Sequence, residues 1–74
     1  MNGDDDILEK FGERIRELRK SQGFSQEAFV LECGLDRSYV GAIERGERNL
    51  SLRNIRIFSV KLGMSLAELF EGLS

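Results

Sequence analysis

The 74-residue chain has no histidine, no proline, no tryptophan and a single cysteine. Without histidine it lacks the side chain that most often serves as a general base near neutral pH or as a metal ligand. Cys33, being alone, can form no intrachain disulfide, and it reads as a buried structural thiol in a reducing compartment. No glycine run has the spacing that cradles a phosphate. With no set of residues arranged for catalysis, an enzyme is not expected, and neither is a metal, a cofactor or a small-molecule ligand. No apolar run approaches the roughly 20 residues of a membrane span. The N-terminus, Met1 to Asp6, carries three consecutive acids where a secretory signal would be basic. These absences predict a cytoplasmic, non-membrane protein.

Positive charge is also in deficit, with 11 Lys and Arg against 13 Asp and Glu, a formal net charge of −2. Its distribution is uneven. All the basic residues lie between Lys10 and Lys61, and both ends of the chain are acidic. The central block is therefore locally positive, which is what attraction to nucleic acid depends on, while the overall balance argues against a protein that coats DNA indiscriminately. The Asp4–Asp6 run reads as part of a disordered, solvated tail over residues 1–5 rather than a cation site.

What the chain has in abundance is helix-forming residues, with 41% of positions hydrophobic. One punctuation mark recurs. Gly23-Phe24-Ser25, Gly34-Leu35-Asp36 and Gly63-Met64-Ser65 each read glycine, apolar residue, N-cap residue, and Gly46 followed by Leu50-Ser51 is a longer version. Glycine ends one helix, Ser or Asp caps the next, and the intervening apolar residue staples onto the fourth helical position. The staple pairs are Phe24–Phe29, Leu35–Val40, Leu50–Ile55 and Met64–Leu69, apolar in every case. The spacing predicts five helices, over about 6–22, 26–33, 37–45, 52–62 and 66–71. The inward rows are Ile7, Leu8, Phe11, Ile15 and Leu18 on the first, and Leu52, Ile55, Phe58 and Leu62 on the fourth. Ser65 and Glu68 predict a capping box. The polar side of the first helix carries Glu13, Glu17, Arg14, Arg16, Arg19 and Lys20, of which Arg16, Arg19 and Lys20 read as a solvated face adding long-range attraction. The fold class is all-α, a single domain over 6–74 in which a chain this short buries only about 60% of its unfolded surface.

The stretch 26–45 carries the functional signal. Gly34 can adopt the positive φ that stops a helix abruptly. Leu35, Val40 and Ile43 then give the following helix a buried edge and leave Arg37, Ser38, Gly41, Ala42 and Arg45 outward. A packed helix carrying a second one with an exposed polar side is a helix-turn-helix. From Phe11 to Phe70 the chain resembles the phage-repressor (Cro/C1 or Xre) family, on Ser25-Gln26-Glu27, Gly34-Leu35 and Ile43-Glu44-Arg45-Gly46. Within it, Gly34 to Tyr39 followed by Ile43 to Asn49 most resembles the controller proteins of restriction–modification systems. Val30 departs from the family pattern, which usually has Ala there. The resemblance implies a compact five-helix bundle and a transcriptional regulator that binds double-stranded DNA near its own promoter.

Arg37 is the candidate for base reading, since a guanidinium can donate two hydrogen bonds to guanine. Ser38 and Ala42 are the other base-facing candidates, with Gly41 and Ala42 small enough for close approach. Gln26 opens a helix, where free N–H groups favour a phosphate, and in relatives the matching Gln contacts DNA. Tyr39, Arg45, Arg48, Asn49 and Ser51 are assigned to the backbone. Specific binding by so small a reader usually needs two copies, and Ile57, Leu66, Leu69, Phe70 and Leu73 are the apolar residues assigned to a two-fold homodimer. Activation would add RNA polymerase as a partner, through Glu27, Glu32 or Glu44. The alternatives are a phage-type repressor or antitoxin of the same fold, or an interaction module that no longer binds DNA.

Overall fold

In the computed structural model, residues 3–73 are described, with side chains from residue 7 onward. They form α1 (Gly3–Ser21), α2 (Gln26–Cys33), α3 (Arg37–Glu44), α4 (Leu52–Leu62) and α5 (Leu66–Leu69), and no strand occurs among them. Helices α2 to α5 start where the sequence puts a short polar side chain. The Ser25, Ser51 and Ser65 hydroxyls accept from the N–H groups of Ala28, Asn54 and Glu68, each at 3.1 Å, and the Asp36 carboxylate accepts from Ser38 N–H at 3.0 Å. Glu68 reaches back to the Ser65 N–H at 2.9 Å, closing the capping box. Each such contact satisfies an N–H that the helix cannot pair internally. Gly34 closes α2 at φ 67°, its N–H bonded to the Val30 carbonyl.

Element boundaries differ from expectation at four ends, the end of α1 by a single residue. Helix α1 begins at Gly3, inside the acidic stretch expected as a tail over 1–5; an N-terminal helix dipole favours negative charge there. Met1 and Asn2, the rest of that expected tail, lie outside the described residues. Helix α3 stops at Glu44, with Arg45 as its cap. Helix α5 stops at Leu69 because Phe70 turns back onto Phe11 of α1, with ring centroids 5.4 Å apart. Arg14 meets the carbonyls at this end, donating Nε to Leu69 O at 3.1 Å and Nη2 to Glu68 O at 2.7 Å. A residue expected on the polar side of α1 thus caps the far end of the chain.

The core draws on every helix: Phe11 and Ile15, Phe29 and Cys33, Val40 and Ile43, Phe58 and Leu62, and Leu69. Phe29 and Phe58 stack at its centre, 5.8 Å apart. The staple residues Phe24, Leu35, Leu50 and Met64 all pack against it from the turns. Two expected inward rows are shorter than periodicity suggests. Ile7 is exposed, so the apolar row of α1 enters the core only from Phe11. Leu52 is 71% exposed, since Leu50 in the preceding loop packs against the core instead.

The tightest approach is backbone to backbone. A Cβ at Gly12 would lie 2.3 Å from the Ile43 carbonyl oxygen and 2.7 Å from that of Glu44. Only glycine lets α1 cross the end of α3 so closely, and neither carbonyl can move without shifting the helix. Gly12→Ala is therefore expected to destabilise the protein by about 3 kcal/mol, read as a lower urea midpoint at unchanged slope. An unchanged midpoint would show that the two helices can part without cost. Cys33 gives a second test. Burial pushes its thiol up to about 11, which leaves very little thiolate at pH 8. Its reaction with a disulfide reagent in native buffer is expected to be about 100-fold slower than after unfolding.

Candidate nucleic-acid interface

Helix α3 is fixed from below by Val40 and Ile43, which are fully buried, and this determines what faces outward. Arg37, Ser38 and Arg45 are exposed on its outer side, and Ala42 is half-buried. Gly41, expected outward, is instead covered: a Cβ there would lie 3.2 Å from Nη1 of Arg45 and 3.9 Å from the Gln26 amide. Gln26 and Arg45 thus fold over Gly41, and with Asp36, Arg37 and Ser38 they line one shallow groove. The structure brings Gln26, Arg37, Ser38 and Arg45, from the start of α2 to the end of α3, onto a single face.

Each polar group on that face has a partner of its own. Asp36 accepts from both the N–H and the hydroxyl of Ser38. The Ser38 hydroxyl, followed by the Tyr39 N–H, holds the Asp36 carboxyl below its ordinary range. The Ser38 proton is consequently turned toward its own helix cap, and its oxygen is what remains available. Arg37 reaches across to Glu27, Nη2 to Oε2 3.1 Å, with both side chains about two-thirds exposed. Arg45 donates Nε to Glu47 at 3.1 Å in similar exposure. Exposed pairs of this kind are worth about 1 kcal/mol or less, so both arginines are tethered but easily released.

Beneath the face lies a different kind of pair. Arg19, expected on a solvated face, is buried, donating Nε and Nη2 to the two oxygens of Glu44 at 2.7 and 3.0 Å and Nη1 to the Phe24 carbonyl at 3.0 Å. The hydrogen bond to Glu44 raises the pKa of Arg19 further. Glu44 also accepts from Gln26 Nε2 at 3.1 Å. It is 6% exposed, which removes it from the surfaces a polymerase could touch. Its basic partner is Arg19.

A second cluster sits beside the first. Tyr39 accepts from Asn54 Nδ2 at 2.9 Å, and the Arg48 guanidinium lies over its ring, 5.0 Å from the centroid. These residues and Ser38 line a neighbouring groove. Asn49 is exposed in the loop, and Ser51 spends its hydroxyl on capping α4. Asn54 was missed by sequence reasoning. The available signal is that it sits three residues after Ser51, where Glu or Gln would close a capping box and Asn is too short to do so.

The residues assigned to self-association divide. Leu69 is fully buried within the protomer as the staple partner of Met64, so it offers nothing to a second copy. Leu66 on α5 and Phe70 just after it are over one-third exposed, and Leu73 and Ile57 are half-buried. Ile57 and Val60, the latter 61% exposed, line an open groove on α4 with Arg53, Arg56 and Lys61. Val60 belongs on the list of exposed apolar residues; in sequence it stands three positions after Ile57, on the same helix face.

The helix-turn-helix family model matches residues 15–69. The control protein C.MunI of Mycoplasma sp is 44% identical over 69 residues, 92% of this chain and 93% of that one. The control protein C.BamHI of Bacillus amyloliquefaciens is 44% identical over 62 residues, 82% of this chain and 76% of its own. Among solved structures, the restriction–modification controller protein C.AhdI from Aeromonas hydrophila is similar at a TM-score of 0.81 and 52% identity, covering 88% of this chain and 97% of that one. The controller C.Esp1396I, solved as a tetramer in complex with its natural 35 base-pair operator, is similar at 0.81 and 33% identity over 90% of this chain and 88% of that one. No helix among the described residues is long and apolar enough to cross a membrane. By sequence and by fold, the chain belongs to the helix-turn-helix family, among the restriction–modification controller proteins.

Proposed function

We propose that the protein is a sequence-specific, DNA-binding transcriptional regulator that acts in the cytoplasm as a homodimer on a near-palindromic operator, controlling its own promoter. The observation that carries this reading is the single face formed by Gln26, Arg37, Ser38 and Arg45 on a helix whose opposite side is locked into the core. Arg37, at the first turn of α3, enters the major groove and donates two hydrogen bonds to a guanine. Ser38 offers its oxygen, and Ala42 lies deep enough to touch a base only where the helix sits close. Gln26 at the start of α2 meets one phosphate segment, supported by the free N–H groups there. Arg45, Tyr39, Arg48, Asn49 and the start of α4 at Ser51 meet the backbone on the other side, where Arg48 already lies over Tyr39.

Dimerisation follows from how little one such face can read. Two copies related by a two-fold axis place their α3 helices about 34 Å apart, one turn of the duplex. The surface for this is Ile57 and Val60 on α4 with Leu66, Phe70 and Leu73 at the C-terminal end. A tetramer on a 35 base-pair operator, as reported for C.Esp1396I, supports the further pairing of dimers on adjacent sites. Activity then follows protein concentration through dimerisation and site occupancy. Activation by RNA polymerase contact falls to Glu27 and Glu32 on the exposed side of α2, on either side of Leu31, itself 82% exposed.

Selection of bound sequences from random duplex DNA tests the reading directly. The purified protein is expected to enrich a two-fold-symmetric site. Arg37→Ala at the same salt is expected to lose preference at one guanine in each half-site, a discrimination of about 1–3 kcal/mol. If neither protein enriches a sequence, the fold serves protein interaction instead. For the dimer, Ile57→Glu combined with Phe70→Ala is expected to sediment as a monomer at micromolar concentration while keeping the wild-type helical spectrum. A dimer persisting in that variant would move the interface elsewhere.

A further inference from the structure

We propose that Glu44 is a positioning residue for DNA recognition, setting the orientation of the Gln26 amide and so the hydrogen-bonding character that the start of α2 presents; this rests on the DNA contact assigned to Gln26 above. Gln26 is the first residue of α2 and Glu44 the last of α3, so a contact between them fixes the two helices of the motif against each other at the groove. Glu44 is held still. Its oxygens take both Nε and Nη2 of Arg19, and Arg19 is itself tied to the Phe24 carbonyl in the turn that leads into α2. Oε1 of the carboxylate keeps accepting capacity beyond its bond to Arg19, and Gln26 Nε2 uses it at 3.1 Å.

An amide has a donor end and an acceptor end of nearly equal size, and an exposed glutamine can present either. Beside a carboxylate the choice is forced, because turning the amide over would set its carbonyl oxygen against Oε1 of Glu44. The nitrogen stays inward. The carbonyl oxygen and the second N–H proton of Gln26 are then left toward the groove in a fixed geometry, over Gly41 and beside Arg45. A Cβ at Gly41 would stand 3.9 Å from both polar atoms of the amide, an ordinary contact distance, so the head group lies flat over this position with both its ends equally near the helix. Phosphate accepts only, so the remaining N–H proton is the group that can reach it, while the fixed carbonyl excludes a second close phosphate oxygen. The result is a contact with less rotamer freedom to lose on binding than a free glutamine has.

The test is a double-mutant cycle on DNA affinity, using the duplex enriched by the selection described above, with Glu44→Gln and Gln26→Ala alone and together, far below the unfolding midpoint. Glu44→Gln keeps the volume but puts a donor NH2 where one of the two accepting oxygens stood, so the Gln26 amide is free to pair either way. It is expected to weaken binding about fivefold or more in the wild-type background and less than about twofold where Gln26 is already Ala. Equal loss in both backgrounds would overturn the inference, since Glu44 would then act only through the fold. Wild-type affinity in Gln26→Ala would remove the DNA contact itself, a separate failure. Should Glu44→Gln fail to fold, the wild-type protein free of DNA still decides whether the amide is held in place. The Gln26 side-chain nitrogen is expected to show an order parameter close to the rigid backbone value of about 0.85. A value below about 0.6, as for an amide free in solvent, would overturn the proposal.

Discussion

The buried pair between Arg19 and Glu44 is the constraint on which the motif depends. Taking two charges out of water costs several kcal/mol each, and their attraction recovers this only when the geometry is good and the remaining hydrogen-bonding positions are filled. Here they are filled. Both oxygens of Glu44 are used, Arg19 places its other Nη group on the Phe24 carbonyl, and the described residues contain no buried side-chain nitrogen or oxygen without a partner. Such a pair adds little net stability over well-packed apolar residues. What it supplies is a unique arrangement: one side chain ties α1 to the following turn and to the end of α3, and any other register would strand a charge in the core. The close crossing at Gly12 works in the same place. Glycine allows the backbones of α1 and α3 to touch, which brings Glu44 within reach of Arg19 seven residues further along α1.

A chain of this length cannot rely on a large core, and the rest of the structure shows how the deficit is met. Capping residues satisfy the starts of four helices, and apolar residues from the turns add to a core assembled from one or two side chains per helix. Arg14 completes the end of α5, a helix of only four residues that would not hold alone. The recognition helix is thereby carried on short elements, each fastened at both ends, so the outward face is positioned without a sheet or a long buttressing helix.

How much of this was legible in the sequence follows from the range of the interactions. The caps, the staples and the turn at Gly34 depend on residues within five positions of one another, and all four cap positions stand where the pattern put them. The outward set on α3 was legible too, because burial of Val40 and Ile43 fixes the opposite side. Gly41 was the exception, covered by side chains from Gln26 and Arg45. The two arginine misses share a cause. Arg14 and Arg19 stand on a helix side that reads as polar, yet each stem is long enough to carry its head to a partner more than 20 residues away. Leu69 was misplaced at the surface because a four-residue helix has too few positions to define a face, whereas its staple to Met64 already pointed inward. Leu52 erred the other way, as an apolar residue whose place was taken by Leu50 from the loop. Whether the assigned contacts meet DNA is a matter of a second molecule, and no pattern within this chain encodes it.

The distribution of acids at the recognition face resolves the apparent conflict between a net charge of −2 and a DNA-binding role. Asp36, Glu27 and Glu47 each hold a group proposed to contact DNA: Ser38, Arg37 and Arg45 respectively. Non-specific affinity comes almost wholly from neutralising phosphates, and these acids reduce it by occupying cations and by repelling the backbone. A guanine at the place proposed for Arg37 would repay the loss, because a bidentate hydrogen bond depends on geometry more than on field strength. An exposed pair with Glu27 costs little to open. The penalty therefore falls on every sequence alike, while the compensation comes from one. Acids beside the proposed reading residues thus lower affinity for DNA in general while leaving discrimination by geometry intact.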